Sequence, residues 1–202
     1  RPLYEARGRL RAAFPKIQVA PAADVKGLVV TVSVEEGGSY NLGDVRIEGA
    51  PVASDALFKA ADLKTGDIAN FHQIEVGRQR MHKLLSRNGF MKADSTIERA
   101  IDDRRKAVDL VFHVIAGPQY VFGKLVIVGL DILTEPAVRK LWALKEEKPF
   151  DGDYPDYFLG RLREDGVFDD LGQTRSAASV DDQRLTADVT LHFGPAPPPK
   201  PA

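Results

Sequence analysis

The sequence predicts an α+β fold made of tandem units, each a three-stranded sheet covered on one face by two helices. Three observations carry this reading. A strand-like segment returns at a fixed offset, a helix-closing glycine returns at nearly the same offset, and each helix end is followed by two alternating stretches around a polar turn. Recurrence in register is the mark of a repeat architecture. With 44% apolar and 28% charged residues, the composition is that of a folded chain.

The elements follow in order. The chain opens on a predicted helix running from Leu3 and Tyr4 to Phe14. Leu10-Arg11-Ala12-Ala13-Phe14 reads as its end, with Ala13 where later copies carry Gly. A strand over residues 16–20, the turn Asp24-Val25-Lys26-Gly27 and a strand from Leu28 to Val34 come next, closing at Gly37. Then Tyr40, Leu42, Gly43, Val45, Ile47 and Gly49 form an alternating strand ending in a turn glycine. Ser54 is placed to cap a helix, and Phe71, Ile74, Met81, Leu84 and Leu85 lie on one face of a second. Gly89, in Leu85-Ser86-Arg87-Asn88-Gly89-Phe90, supplies the left-handed residue that stops it. A strand over 92–99, the turn Asp102-Asp103-Arg104-Arg105 and a strand from Val108 to Val114 close the unit at Gly117.

The series then repeats. Tyr120, Phe122, Gly123, Leu125, Ile127 and Gly129 match the first strand at an offset of 80. Thr134 is the predicted cap, with Pro136 in the first turn, where a missing N–H is harmless. Tyr154, Tyr157, Phe158 and Leu162 supply the second helix's core face, ending at Gly166-Val167. A strand over 174–180, the turn Asp181-Asp182-Gln183-Arg184 and a strand from Leu185 to Leu191 end at Gly194. The predicted domains are the C-terminal half of a unit at 1–37 and complete units at 38–117 and 118–195. A Pro-rich linker follows at 196–202. The helix start and missing strand make Arg1 an expected boundary within a longer protein.

A tandem strand-helix-helix-strand-strand unit that opens Tyr-x-Leu/Phe-Gly-x-Val/Leu-x-Ile-x-Gly resembles the POTRA (polypeptide-transport-associated) domain of the Omp85 family, which includes BamA- and TamA-like assembly proteins. The resemblance implies the periplasmic arm of an outer-membrane β-barrel protein, tethered to that membrane through its barrel. It implies unfolded outer-membrane or secreted polypeptides as partners, with accessory assembly lipoproteins. It also implies β-augmentation, in which an extended peptide joins the strand after the second helix. The corresponding segments are 16–20, 92–99 and 174–180. The expected contact residues are Ala93, Ser95, Thr96 and Ile97, and Ser176, Ala178 and Val180. The bland reading of these charged strands is that they guard sheet edges against aggregation.

Other chemistries find little support. The 28 basic and 29 acidic residues give a net charge of -1, which argues against nucleic acid as a partner. The inter-helix loops at Lys64-Thr65-Gly66-Asp67 and Lys145-Glu146-Glu147-Lys148-Pro149 lack the paired glycines an RNA-binding KH loop needs. There is no Cys, so thiolate metal sites and disulfides are excluded. His72, His82, His113 and His192 lack metal-ligand spacing, and no metal or cofactor is expected. Asp102-Asp103, Asp169-Asp170 and Asp181-Asp182 fall in predicted turns, where Asp bonds local backbone, so no catalytic residue is assigned. Trp142, Tyr154, Tyr157 and Phe158 are expected in the core with polar tips at the rim. Two alternatives stand beside the polypeptide-binding arm: a scaffold docking folded partners, as in two-partner secretion or division-type POTRA proteins, and an α+β enzyme.

Overall fold

The computed structural model describes residues 2–23, 26–166 and 172–194. The Pro-rich segment, Asp24 and Val25 of the first predicted turn, Val167 and the Asp169-Asp170 pair lie outside the described residues. The chain divides into two compact units, Arg1–Met81 with Ser95–Val114, and His82–Asp94 with Ile115–Ala202.

In the first unit, α1 (Pro2–Glu5) leads into the antiparallel pair β1 (Ala13–Pro21) and β2 (Leu28–Glu35). This corrects the long opening helix: Phe14 stands on β1, and the helix is a single turn. The helix-closing role expected at Ala13 belongs to Gly8, whose φ is +69° and whose carbonyl accepts the Tyr40 N–H at 2.9 Å. Every residue of β1 and β2 is exposed, including Ile17, Val30 and Val32.

The next three strands are β3 (Asn41–Glu48), β4 (Asp94–Asp102) and β5 (Ala107–Ile115), with α2 (Ser54–Ala61) and α3 (Phe71–Arg87) between the first two. The sheet order is β3-β5-β4, so the last strand is central, and it runs parallel to β3. Alternation places Val108, Leu110, Phe112 and Val114 inward along β5. Leu57, Ala61, Ile74 and Met81 are the buried apolar side chains of α2 and the first part of α3. Asn70 caps α3 by accepting the N–H groups of His72 and Gln73.

The second unit repeats this plan with β6 (Val121–Val128), α4 (Thr134–Leu141), α5 (Tyr154–Glu164), β7 (Thr174–Asp181) and β8 (Thr186–Phe193), in the order β6-β8-β7. Here β8 runs parallel to β6 and antiparallel to β7. Its core joins Val138, Phe158, Leu159 and Leu162 of the helices to Phe122, Val189, Leu191 and Phe193 of the sheet. That cluster is the helix-covered face the periodicity predicts. Tyr157 is a correction: it is 59% exposed, and Leu159 takes the inward position.

The two predicted caps are also corrected. Ser54 and Thr134 are the first helical residues, and no N-cap side chain bonds either helix. Asp131 does the work for α4, accepting both the N–H and the hydroxyl of Thr134.

The motif glycines Gly43 and Gly123 have a shared cause. A Cβ at either position would overlap the carboxylate of Asp109 or Asp188 on the adjacent central strand. Those carboxylates accept the next backbone N–H, from Asp44 at 2.8 Å and Lys124 at 3.1 Å, where the strand register shifts. Gly43→Ala is expected to lower stability by about 1–3 kcal/mol, the range for overpacking. Asp109→Ala in the same chain should recover part of that loss, read as the denaturant midpoint.

Candidate functional site

The candidate site is the pair of strands that follow α3 and α5. Each lies at a sheet edge, β4 beside β5 and β7 beside β8. One residue in two along such a strand turns its N–H and C=O away from the partner strand, leaving them free to bind another chain.

The opposite edges are partly closed. In the first unit the inter-helix loop pairs with β3: Leu42 donates to the Asp67 carbonyl at 2.7 Å, and Gly66 donates to Leu42 at 2.8 Å. In the second unit Phe122 donates to Lys148 at 2.8 Å and Glu147 to Phe122 at 3.0 Å. Farther along β6, Arg139 of α4 donates to the Leu125 carbonyl at 3.0 Å. These contacts occupy backbone that a guest strand would need.

The expected contact residues divide unevenly. Ala93 precedes β4, and its N–H donates to Phe90. Ser95 is 6% exposed, so its side chain faces the interior, and its carbonyl accepts from Arg78 of α3 at 3.3 Å. Thr96 is exposed and Ile97 half-buried. On this strand the Glu98 carboxylate reaches His113 at 3.2 Å, while the Arg99 guanidinium sits 5.0 Å from the centre of the Phe71 ring. Both carry charge along the β4 edge, in the manner of a guarded strand.

The β7 edge differs. From Ser176 to Val180 it reads Ser-Ala-Ala-Ser-Val, with no charge and no proline. Ser176 is partly buried and donates its hydroxyl to Asp156 of α5 at 2.6 Å; Ala178 and Val180 are exposed. An open polar depression of about 710 Å³ lies at the end of this strand, lined by Ser179, Val180, Asp181, Lys124 and Arg184 among others.

The predicted turns at 102–105 and 181–184 hold. Asp102 accepts the N–H groups of Arg104 and Arg105, and Asp181 those of Gln183 and Arg184. Arg105 beside it holds the Asp102 carboxyl below the usual carboxylate range. Their neighbours Asp103 and Asp182 have a role that sequence reasoning missed. Each accepts the hydroxyl of a buried motif tyrosine, Tyr40 or Tyr120, and pairs with a cation, Arg11 or Lys92. Recurrence of Tyr and of the second Asp in both copies was the available signal. Among the described residues no group of three His, Asp or Glu side chains is arranged to hold a metal.

The architecture defines a tandem-repeat scaffold built on mixed three-stranded sheets with one open edge each. Residues 40–117 match the POTRA family, described as a surface antigen variable number repeat. The fold is shared with Haemophilus influenzae BamA POTRA3-5, at TM-score 0.62 and 20% identity, over 96% of this chain and 76% of that one. BamA from Haemophilus ducreyi lacking POTRA domains 1-3 is matched at TM-score 0.62 and 16% identity, over 77% of this chain and 29% of that one. In sequence, a Treponema pallidum (strain Nichols) protein named as an outer membrane protein assembly factor is 22% identical over 189 residues. The match takes in 88% of this chain but 22% of that relative's length. No helix among the described residues is long and apolar enough to cross a membrane, which says nothing of a β-barrel.

Proposed function

We propose that this chain is the periplasmic arm of an Omp85-type outer-membrane protein. It takes extended outer-membrane or secreted polypeptides as added strands and passes them on for insertion or translocation. The observation that carries the proposal is the open β7 edge. Its small uncharged residues Ser176, Ala178 and Val180 leave the backbone accessible, and main-chain pairing gives affinity with little demand on sequence. The guarded β4 edge, at Thr96 and Ile97, is the secondary site. The POTRA match and the assembly-factor relative support the setting of an attached barrel and polypeptide clients; accessory lipoproteins complete the proposed set of partners. The reading includes no catalysis and no cofactor. It keeps the boundaries 1–37, 38–117 and 118–195, with the first segment as the closing half of a further unit.

A second reading is favoured by one surface. Leu141 and Tyr157 are exposed at the end of α4 and within α5, and with Tyr154, Phe158 and Leu162 they line a groove of about 310 Å³. That face suits a folded partner. An NMR titration of the labelled chain with a barrel-strand peptide separates the two, with a scrambled and a polar peptide as controls. Shifts centred on 174–180 and weakly dependent on sequence are expected. Shifts confined to Leu141 and Tyr157 would transfer the function to the helical face, and no shifts would remove the augmentation mechanism.

Proline sharpens the test. Of the neighbours Ala177 and Ala178, one N–H points to β8 and the other outward. Proline at the outward position is tolerated by an edge strand. One of the two proline variants should therefore stay folded and lose the peptide shifts. A folded variant of each that still binds as the parent chain does would overturn the edge assignment.

A further inference from the structure

The two tyrosine–aspartate–cation groups follow one plan. In the first unit, Tyr40 is fully buried and donates its hydroxyl to Asp103. Arg11 grips the same carboxylate with two bonds, at 3.2 and 2.9 Å. In the second unit, Tyr120 is fully buried and donates to Asp182 at 2.5 Å, while Lys92 reaches both carboxylate oxygens at 2.6 and 2.7 Å. The cation stands three residues after a left-handed glycine in each case, Arg11 after Gly8 and Lys92 after Gly89. That glycine's carbonyl accepts the tyrosine N–H, at 2.9 Å from Tyr40 and 2.8 Å from Tyr120. Backbone and side chain of the same tyrosine thus hold the same short segment at two points.

We infer that these groups are one repeated clasp, which binds the segment after each helix-closing glycine into the repeat that follows it in sequence and releases it when the aspartate is lost. In the second unit the residues just before that glycine have ties of their own: Gln119 donates to the Asn88 carbonyl at 2.8 Å, and Arg87 pairs with Asp153 at 2.8 Å.

The parts contribute unequally. The ion pairs are about half exposed, with side chains 49–62% accessible, and exposed pairs contribute little. The phenol is the stronger element. Without its aspartate, a buried O–H donor has no acceptor, and that penalty exceeds the loss of a surface pair. The aspartate is therefore the residue through which the clasp opens.

The charged and titratable groups facing the aspartates are few. Asp103 faces Arg11, Tyr40 and Lys106, whose ammonium lies 3.3 Å from the Tyr40 hydroxyl. Asp182 faces Lys92 and Tyr120. Arg11 holds the Asp103 carboxyl below the usual carboxylate range, and Lys92 does the same to Asp182. A depressed folded-state pKa contributes stability above the unfolded value and loses it as pH falls through the folded one. Both clasps should hold at neutral pH and loosen below about pH 4.

Amide hydrogen exchange on the full chain tests this. Asp182→Ala should speed exchange at residues 89–94 and 119–121 by about tenfold, with Lys92→Ala giving a smaller rise of about threefold. The β8 core amides of Val189 and Leu191 should change less. Asp103→Ala should do the same at residues 8–12. Where Asp182→Ala loosens the core as well, Tyr120→Phe with Asp182→Ala removes donor and acceptor together. That pair should restore the core and leave residues 89–94 fast. Unchanged exchange at 89–94 in Asp182→Ala, parental exchange there in the double variant, or a response at one clasp alone would each overturn the inference.

Discussion

Truncating Phe112 to alanine is expected to destabilise the first unit by about 3–5 kcal/mol, the range for removing a buried aromatic ring. Phe112 is fully buried on the central strand β5, opposite Ile47 of β3, with Leu110 and Val114 inward on either side. A central strand cannot shift to refill the space without disturbing both neighbours, so the cavity term should persist. Leu191 is the corresponding residue of β8, opposite Ile127, and Leu191→Ala should cost about 2–5 kcal/mol. The two losses need different probes. Trp142 is the only tryptophan, and it packs on Phe122, Tyr154 and Phe158 in the second unit. Its fluorescence reports Leu191→Ala directly. Phe112→Ala is read from the exchange of β5 amides in denaturant. A loss under about 1 kcal/mol at Phe112 would mean that β5 does not hold the core described above.

Most of the fold is legible in the sequence because alternation and the helix-closing glycine are local signals. Tyr40 to Gly49 and Tyr120 to Gly129 became strands, and Gly89, Gly117 and Gly194 became left-handed turns. What stayed hidden is what local pattern does not encode. Alternation along 108–114 says which residues point inward, but not that this strand lies between the other two and parallel to the first. The likeness of Phe14 to Phe90 drew the first helix end to Ala13, whereas the backbone contact with Tyr40 is made by Gly8. Thr134 has cap chemistry, yet Asp131 reaches the same N–H three residues earlier.

The candidate site was legible to a similar depth. Strand positions followed from pattern, while the edge role came from the family resemblance. Ser95 turns its side chain to the covered face, and a polar residue on a short strand gives no sign of that in the sequence. Asp103 and Asp182 read as turn residues from sequence, whereas Asp102 and Asp181 alone satisfy the turns. Their bonds to Tyr40 and Tyr120 span 63 and 62 residues, beyond any local signal.

Two alanine substitutions of glycine in the second unit should act in opposite directions. Gly129 closes β6 at φ +94°, and a Cβ there would run into the Phe193 carbonyl of the adjacent strand. Gly129→Ala meets two penalties. The left-handed backbone costs a non-glycine residue about 1–3 kcal/mol. Contact with backbone cannot be relieved by turning a side chain, and overpacking costs about 1–3 kcal/mol more. A loss of roughly 3 kcal/mol or more is expected. Gly160 is different. It lies inside α5, with nothing within 4 Å of an added Cβ. A mid-helix glycine is less favourable than alanine by about 0.5–1 kcal/mol, so Gly160→Ala should stabilise by that amount. Trp142 fluorescence in a denaturant series measures both on one probe. Opposite shifts of the midpoint would separate a glycine held by its backbone conformation from one that is merely permitted. A neutral Gly129→Ala would show that the turn after β6 can move away from β8, and would remove the steric account of the motif's closing glycine.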